Sequence, residues 1–441
     1  MEDGENGSAA ERAIRRVEED RDFVVELARE LVRIPSVNPK FEVGEEINRE
    51  ADVQRVVAEQ LEAAGMAVES YDVFPGRPNV YGHHEGSDER SLIINGHVDV
   101  VPVGDLSAWS VDPFGAEARE GKIFGRGSYD MKAGVAAAIA AARALHDCGV
   151  ELEGRFEIHS AVDEEAGGFG TRDLVQRGRH ASAAIIAEPT EGEIMTAEGG
   201  LEWVRVTIRG RNAHSGWRYR DIYPQPLGPE RDNAGVNAAE LAAGFIEAVG
   251  RLERDWGRRK PAHPLLPLGI NTINPGVVRV GSGLDEEGLP AVMTNPAITP
   301  DVAVVDFDLK FLPTETSESV RKEFEEFVHH WAMQDTWLRE HPPSVRWNLA
   351  DLYFPPFDTP ADHPLVELIK RQRAAQGKQA NLTGFPAVCD GAHYAGEGIT
   401  PVIHGPSGAG LHGADEWVEA DSIVDAAKAY VAAAAGYCGT R

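Results

Sequence analysis

An apolar strand ends in polar side chains within the stretch Leu92-Ile93-Ile94-Asn95-Gly96-His97-Val98-Asp99. Side chains two apart on a strand share a face, so the carboxylate of Asp99 can accept a hydrogen bond from the ring of His97. A histidine that binds a metal usually has such an outer carboxylate, because this hydrogen bond orients the ring. The stretch therefore indicates a metal ligand at the carboxyl end of a strand.

Strand and helix patterns alternate on both sides of this stretch. The chain has 441 residues, enough for two or three folding units at roughly 100–200 residues each. Strands alternating with helices, with polar clusters at the strand ends, are typical of an α/β sheet that carries a site on its carboxyl edge. The predicted strands are Met66–Val73, Ser91–Ile94, Arg155–Ala161, Ala183–Ala187 and Pro401–His404, and the predicted helices are Ala10–Val32, Glu46–Ala64, Ala133–Leu145, Pro364–Gln376 and Ala420–Ala435.

The pattern changes in the middle of the chain. We therefore predict an α/β protein whose mixed-sheet catalytic domain, residues 1–194 and 358–441, is sandwiched by helices. A smaller α+β domain, residues 195–357, is inserted into it. The elements predicted there are strands at Glu202–Arg209, Val302–Leu312 and Ser344–Asn348 and helices at Gly235–Trp256 and Glu318–Trp337.

The composition argues against several classes of partner. Acidic side chains outnumber basic ones 72 to 43, which gives a net charge of −29. Such a chain repels phosphate backbones and anionic lipids, so we expect neither nucleic acid nor a membrane surface as a partner. Sparse cysteines and an acidic N-terminus unlike a signal peptide indicate a cytoplasmic protein. The apolar run Ala133–Leu145 falls short of the ~20 residues that span a bilayer.

Potential metal ligands lie at five places near the ends of apolar segments. Imidazoles and carboxylates without thiolates suit zinc, cobalt or manganese. Their number exceeds one tetrahedral zinc site and suits two ions, about 3.5–4 Å apart, that share a bridging carboxylate. A further carboxylate must take a proton from the attacking water, and the neighbours Glu164 and Glu165 fit this division. The candidate residues are His97, Asp130, Glu164, Glu165, Glu188 and His412.

The motifs around these residues closely resemble the signatures of M20-type metallohydrolases. This family includes acetylornithine deacetylases, succinyl-diaminopimelate desuccinylases, aminoacylases and glutamate carboxypeptidases. The resemblance covers essentially the whole chain from about residue 20. The matching segments are Leu92–Pro102, Trp109–Phe114, Gly125–Gly134, Asp163–Glu165, Ala187–Thr190, Asn212–Gly216 and Gly405–Gly408.

The resemblance implies a binding site for two divalent ions, with Zn²⁺ preferred and Co²⁺ or Mn²⁺ as alternatives. Asp130 would bridge the two ions. His97 and Glu188 would complete one position. Glu165 and His412 would complete the other.

Three further residues receive catalytic roles from the same resemblance. Asp99 would orient His97, and Glu164 would act as the general base and later as the acid that protonates the leaving amine. His214, in the inserted domain, would stabilise the tetrahedral oxyanion. In dimeric relatives this histidine reaches the active site of the partner subunit. We therefore expect the inserted domain to be a lid and a dimerisation surface, and the protein to be a homodimer.

Together these features predict a di-metal amidohydrolase that deacylates an N-acyl amino acid or a related acylated amine. A metallo-dipeptidase or carboxypeptidase, and a non-catalytic binding protein on the same fold, are the alternatives. Asn295 and Lys310 are candidate substrate contacts, but Lys310 stands where many relatives have arginine and cannot form a bidentate grip on a carboxylate. Two loops of the inserted domain, Trp217–Asn233 and Val280–Gly288, are longer than the resemblance leads us to expect.

The segment Gly408–Gly413 satisfies the pattern G-x-G-x-x-G of dinucleotide-binding folds. It lies near the C-terminus with a single predicted helix after it, whereas a dinucleotide fold needs the motif in its first βαβ unit. We instead expect the loop, and Gly408 in particular, to offer backbone N–H groups to a substrate carboxylate or oxyanion.

Overall fold

A computed structural model describes residues 8–218, 222–224, 235–379 and 381–441. The chain divides into two compact units. The first comprises the chain up to Glu198 together with Phe357–Arg441, and the second comprises Gly199–Pro356. No helix in the described ranges is long and apolar enough to cross a bilayer.

The part of the first unit that precedes the second alternates between helices and strands. Its elements are α1 Ala9–Glu19, α2 Arg21–Val32, α3 Glu50–Ala63, β1 Ala67–Phe74, β2 Arg77–His84, β3 Ser87–His97, β4 Glu117–Arg119, β5 Lys122–Phe124, α4 Ala133–Asp147, β6 Gly154–Ala161, α5 Phe169–Gln176, β7 Ala183–Ile186 and β8 Ile194–Glu198.

The second unit contributes longer strands and two long helices. Its elements are β9 Gly200–Arg209, β10 Ala213–His214, β11 Ile222–Tyr223, β12 Gly235–Val236, α6 Ala238–Arg259, β13 Ile273–Leu284, β14 Pro290–Val292, β15 Ile298–Thr299, β16 Val302–Phe311, α7 Ser317–Ala332, β17 Ser344–Trp347 and β18 Tyr353–Phe354. The chain then returns to the first unit with β19 Phe357–Asp358, α8 Pro364–Ala375, β20 Leu382–Phe385, α9 Gly391–Gly396, β21 Thr400–Ile403, β22 Gly408–Ala409, β23 Trp417–Glu419 and α10 Ala420–Cys438.

The main sheet of the first unit has the order β1-β2-β6-β3-β7-β21-β8-β19, with β20 beside β8. Its centre is parallel, because β3 runs parallel to β6 and β7, and β21 runs parallel to β7. The carboxyl ends of these four strands therefore lie on one edge of the sheet. A separate small sheet has the order β22-β23-β5-β4. Strand β5 precedes the turn into α4, and β22 and β23 flank the loop that contains His412.

Helices cover both faces of the main sheet. Leu92 and Ile94 of β3 pack into a large core that also holds side chains from α1 to α4 and from α10. Ile93, between them, packs with Ala184 on the opposite face, where Tyr394 of α9 joins the core. This alternation is what a strand buried on both faces requires. The predicted α/β class with a helix-sandwiched mixed sheet is confirmed.

The second unit is a two-layer α+β structure. Its sheet has the order β14-β13-β16-β9-β17, with β18 beside β9. Phe307, Leu309 and Phe311 alternate along β16 and pack against α6 and α7 in one core. The intervening side chains of β16 lie on the other face of the sheet.

Several predicted elements differ from the observed ones. The predicted helix Ala10–Val32 is two helices, because Asp20 ends α1 and begins α2. Strands β2 and β13 were not predicted at all. The segment Val280–Gly288 is the end of β13 and its turn into β14, not an isolated loop. Of the loop Trp217–Asn233, residues 219–221 and 225–233 lie outside the described residues.

Helix α4 approaches the main sheet closely at Gly134. A Cβ placed on this glycine would lie 2.1 Å from the carbonyl oxygen of Ala187 and 2.9 Å from its Cβ. Ala187 immediately precedes the candidate ligand Glu188, and Gly134 follows the candidate ligand Asp130 by four residues. A glycine is therefore needed for the helix start and the strand end to meet at the site.

We predict that Gly134→Ala destabilises the protein by about 1–3 kcal/mol, because the added methyl group overpacks a rigid backbone contact. The matched control is Gly244→Ala in α6, where a Cβ would meet nothing within 4 Å. That substitution should stabilise the protein by up to about 1 kcal/mol through helix propensity. Guanidinium unfolding followed by circular dichroism measures both. Equal stability of the two variants would show that the contact is not tight.

Candidate metal centre

Three neighbouring strand ends deliver four of the candidate side chains. His97 is the last residue of β3, and Glu188 follows the end of β7. Glu164 and Glu165 follow the end of β6, after Asp163. Because these strands are parallel neighbours, their side chains meet at the carboxyl edge of the sheet.

Two further candidates come from outside the main sheet. Asp130 lies between β5 and α4, with a non-helical backbone of φ −117° and ψ 96°. His412 lies between β22 and β23 and has a φ of 58°, a left-handed conformation that residues other than glycine adopt infrequently. The small sheet that contains β5, β22 and β23 carries both segments.

The carboxylate of Asp130 lies between the two imidazoles. Its Oδ1 is 3.2 Å from Nε2 of His97, and its Oδ2 is 3.1 Å from Nε2 of His412. Oε2 of Glu165 is also 3.1 Å from Nε2 of His412. Oε1 of Glu188 is 3.6 Å from Nε2 of His97. The donor atoms thus form two groups that share Asp130.

Glu164 points into the same space. Its Oε2 is 3.8 Å from Nε2 of His97. One donor atom each from His97, Glu164 and Glu188 lie within 4.8 Å of one another. The same holds for His97, Asp130 and Glu165. The structure therefore brings together all six residues that the sequence predicted for the centre.

Burial and mutual repulsion shift the pKa values of these groups. Burial raises the pKa of Glu164 and Glu188 well above the ordinary value, and the charges of neighbouring acids add to the shift. Burial also raises the pKa of Glu165, to about 7. Asp130 is the exception: burial would raise its pKa, but hydrogen bonds from His412 and His97 together lower it.

The pKa values of the two imidazoles are also raised, but by their carboxylate neighbours and not by burial. Burial alone would lower the pKa of His97, but the hydrogen bond to Asp130 and the charge of Glu188 raise it well above the ordinary value. The hydrogen bonds from His412 to Asp130 and Glu165 raise the pKa of His412 to about 10. The cluster therefore attracts positive charge.

The donor set fits divalent metal ions. The side chains of the four carboxylates are at most 10% exposed. Within the described ranges, no lysine or arginine forms an ion pair with them, and the two imidazoles are their charged partners. Buried carboxylates without compensating cations are costly, and two divalent ions would remove that cost. Oxygen and imidazole donors suit zinc, cobalt or manganese.

Asp99 supports the centre differently from the predicted way. Nδ1 of His97 is 2.9 Å from the backbone oxygen of Asp99 and 3.7 Å from its carboxylate. The predicted hydrogen bond from the ring to the carboxylate is therefore wrong. The carboxylate instead accepts the backbone N–H groups of Glu164 at 3.0 Å and Glu165 at 3.2 Å. Asp99 thus orients His97 through its carbonyl and fixes the two glutamates through its side chain.

A buried charge network behind Asp99 was missed by the sequence analysis. Asn38 donates hydrogen bonds to Asp99 at 2.8 Å and to Asp163 at 3.0 Å. The fully buried carboxylate of Asp163 also pairs with Arg77 at 2.9 Å and Lys40 at 2.5 Å. Asp163 has a φ of 69°, and these partners hold the turn that presents the glutamates. Its place directly before Glu164 and Glu165 was the available signal.

His214 and Asn295 lie on adjacent segments of the second unit. Strand β10 pairs with β15, which places His214 opposite Ile298. The N–H of Ser215 donates to the carbonyl of Ala297 at 2.9 Å, and the N–H of Ala297 donates to Oδ1 of Asn295 at 3.0 Å. Both His214 and Asn295 are exposed.

Lys310 lies elsewhere in the second unit. It pairs with Leu201 near the end of β16 that is remote from β15. Alternation along the strand places it on the sheet face that α6 and α7 leave uncovered, together with Asp306 and Asp308. A cavity of about 450 Å³ on this face is bordered by Trp203. Within the second unit, Lys310 therefore does not join His214 and Asn295.

Gly408 has a packing role. It pairs with Val418 in the small sheet. A Cβ on it would lie 2.2 Å from the carbonyl of Trp417 and 2.8 Å from the ring of Tyr129. The close approach explains the glycine, and its contact with a substrate stays a prediction.

Comparison with known proteins shows which proteins this chain is similar to. The family described as Peptidase family M20/M25/M40 matches residues 93–436. An N-formyl-4-amino-5-aminomethyl-2-methylpyrimidine deformylase from Halalkalibacterium halodurans is 30% identical over 446 residues, covering 98% of this chain and 99% of the relative. A succinyl-diaminopimelate desuccinylase from Bordetella petrii is 27% identical, covering 91% of this chain and 94% of the relative.

Solved structures share the fold. The crystal structure of aminopeptidase PepT from Bacillus cereus has a TM-score of 0.68 and 22% identity, covering 95% of this chain and 98% of that one. A dinuclear metal-binding M20 peptidase from Bacillus subtilis has a TM-score of 0.63 and 15% identity, covering 95% of this chain and 98% of that one.

We predict that divalent ions bind more tightly as the pH rises from 6 to 8. Without metal, His412 is protonated at pH 7 because its pKa is about 10, and a metal ligand must be neutral. Binding therefore releases a proton, and affinity should increase about tenfold per pH unit for each proton released.

Titration calorimetry with Zn²⁺ or Co²⁺ in buffers of different ionisation enthalpy measures this release. The variant His412→Ala should release fewer protons and bind one of two ions more weakly. Affinity that does not change with pH, without proton release, would contradict the assignment of His412 as a ligand.

Proposed function

Because the chain belongs to the peptidase family M20/M25/M40 and is a hydrolase of amide bonds, we propose that it is a two-metal amidohydrolase that removes an acyl group from an acylated amine. One observation carries the proposal. Four buried carboxylates and two imidazoles converge at the sheet edge, and Asp130 contacts both imidazoles. This is the donor arrangement that two ions sharing a bridging carboxylate require.

The side chains of the centre divide into ligands and a proton carrier. His97 and Glu188 would hold one ion, Glu165 and His412 the other, and Asp130 both. When bound, the two ions polarise the scissile carbonyl and lower the pKa of the attacking water toward about 7. We assign Zn²⁺ as the ion, with Co²⁺ as its nearest substitute, because the donors are imidazoles and carboxylates without thiolates.

Glu164 is the proposed proton carrier. It takes a proton from water as the oxygen attacks the carbonyl carbon, and it returns the proton to nitrogen as the C–N bond breaks. The products are the free amine and a carboxylic acid. The hydrogen bond from its backbone N–H to Asp99 fixes the residue, and burial raises its pKa into a range in which it can both accept and donate. His214 would donate a hydrogen bond to the oxyanion.

The substrate we favour is a small acylated amine. The two relatives compared above are named for removing a formyl group and a succinyl group. The deformylase, whose named substrate carries an aminopyrimidine, is the more similar of the two. We therefore place N-formyl amides of heteroaromatic amines ahead of N-acyl amino acids.

A dipeptidase is the second candidate. The structural likeness to aminopeptidase PepT is extensive, with a TM-score of 0.68, but at 22% identity it supports the fold and not the substrate. A non-catalytic binding protein would not need the base Glu164 beside a complete set of ligands. Activity against a panel of amides and dipeptides separates the three functions.

We predict that the Zn²⁺-loaded or Co²⁺-loaded protein hydrolyses an N-formyl aminomethylpyrimidine faster than N-succinyl or N-acetyl amino acids and dipeptides. Glu164→Gln should keep two ions and lose about 10²–10⁴-fold in kcat, because it removes the proton carrier. The neighbouring change Glu165→Gln is the matched control and should lose one ion.

Mass spectrometry of the metal content and steady-state kinetics distinguish these outcomes. Near-normal turnover in Glu164→Gln would refute its role as base. Dipeptides as the best substrates would favour the second candidate. No bound ion and no turnover in the wild-type protein would leave only a binding function.

The second unit is the proposed dimerisation surface. Large apolar side chains are exposed along β13, β14 and the segment that follows, including Val277, Val278, Val292 and Met293. Exposed apolar groups clustered on one unit are typical of a surface that another protein covers. A homodimer through this unit would allow His214 of one subunit to serve the centre of the other.

Mixing two inactive variants tests this proposal. If His214 acts across subunits, dimers that combine Glu164→Gln with His214→Ala contain one intact site. A one-to-one mixture that has exchanged subunits should then recover about a quarter of wild-type activity. Sedimentation of the wild-type protein as a monomer, or no recovery from mixed dimers, would refute action across the dimer.

A further inference from the structure

Two of the candidate ligands are not held by the main sheet. His97 ends its strand, and Glu165 and Glu188 follow theirs; each of these strands pairs with a neighbour on both sides. Asp130 and His412 come from a turn and a loop that need another source of order. Both lie beside a buried ion pair, Arg126–Glu416, which the sequence analysis did not single out.

Glu416 holds the turn that presents Asp130. Its Oε1 accepts the backbone N–H of Tyr129 at 2.9 Å and the backbone N–H of Asp130 at 3.1 Å. The backbone of the same glutamate accepts the N–H of Gly125 at 2.9 Å, where the turn begins. Glu416 is fully buried. Its carboxylate therefore accepts the N–H groups of this turn, as an N-cap side chain accepts the free N–H groups at the start of a helix.

Arg126 extends the connection to His412. Its Nη1 donates to Oε2 of Glu416 at 2.5 Å, and its Nη2 donates to the carbonyl oxygen of His412 at 3.2 Å and to that of Pro102 at 3.3 Å. Arg126 is 1% exposed. The planar guanidinium donates from two nitrogen atoms and so reaches a carboxylate and two carbonyls at once. A lysine has a single ammonium nitrogen and cannot reproduce this geometry.

We propose that Arg126 and Glu416 are a positioning pair that sets the distance between the backbones of Asp130 and His412. The pair would thereby control the ion position that His412 and Glu165 provide. At the position that His97 and Glu188 provide, only the shared Asp130 depends on the pair, whereas at the other position both Asp130 and His412 depend on it. This inference rests on the two-metal centre of the proposed function.

The experiment compares Glu416→Gln and Arg126→Lys with a matched control. Glutamine keeps one acceptor oxygen and has an NH2 donor in place of the other, and lysine keeps the charge of arginine but loses its planar fork of donors. The control is Glu202→Gln in the second unit, where another buried glutamate pairs with Arg321 at 2.6 Å. Co²⁺ titration of the metal-free proteins, followed by visible absorption and by metal analysis after dialysis, reports the affinity of each position.

The wild-type protein and Glu202→Gln should bind two Co²⁺ ions. Each positioning variant should keep the tighter ion and bind the second about 10–100-fold more weakly, the size of effect expected for groups that orient ligands. The absorption spectrum should lose the component of one ion and keep that of the other. The Co²⁺ titration does not require catalytic turnover.

Three results would refute the proposal that Arg126 and Glu416 are a positioning pair. They are two ions bound with wild-type affinity in both variants, equal weakening of both ions, and loss of folded structure in both metal-free variants while Glu202→Gln folds. The last would make the pair a stability element of the whole unit. A wild-type protein that binds no Co²⁺ would instead refute the proposed two-metal function.

Discussion

The four carboxylates of the centre lie close together, and in the described part of the chain their charged partners are the imidazoles of His97 and His412. Burial, and the repulsion between charges of one sign held this close, resist simultaneous ionisation. The pKa of Glu165 is therefore raised to about 7, and those of Glu164 and Glu188 are raised well above the ordinary value. Two divalent ions would reverse this repulsion. The centre and its cations are therefore expected to stabilise each other.

The fold satisfies this constraint with two kinds of scaffold. The parallel strands β3, β6 and β7 end on one edge and bring His97, Glu165 and Glu188 together. The small sheet and its turns supply Asp130 and His412. Polar groups next to the strand ends orient the ligands. The carboxylate of Asp99 accepts the N–H groups of Glu164 and Glu165, and its backbone carbonyl faces the ring of His97. The ligand set thus depends on hydrogen bonds to the main chain as much as on topology.

The apolar strands and the order of ligand motifs were predictable because each has a local signature. Strand β2 was not, since its buried polar residue Arg77 resembles a loop residue until its partner Asp163 is known. Strand β13 was hidden by Pro275 and Gly276, which the structure accommodates at an irregularity in the pairing with β16. The spacing predicted that Asp99 lies beside His97, but not which of its oxygens faces the ring. In the fold, the carboxylate of Asp99 accepts the N–H groups of Glu164 and Glu165, and its backbone oxygen faces the ring.

Anomalous diffraction from crystals grown with Zn²⁺, recorded on both sides of the zinc absorption edge, shows directly whether two ions bind at this centre. We expect two peaks about 3.5–4 Å apart with the carboxylate of Asp130 between them. One peak should adjoin His97 and Glu188, and the other Glu165 and His412. A single peak, or peaks that avoid Asp130, would contradict a paired metal centre.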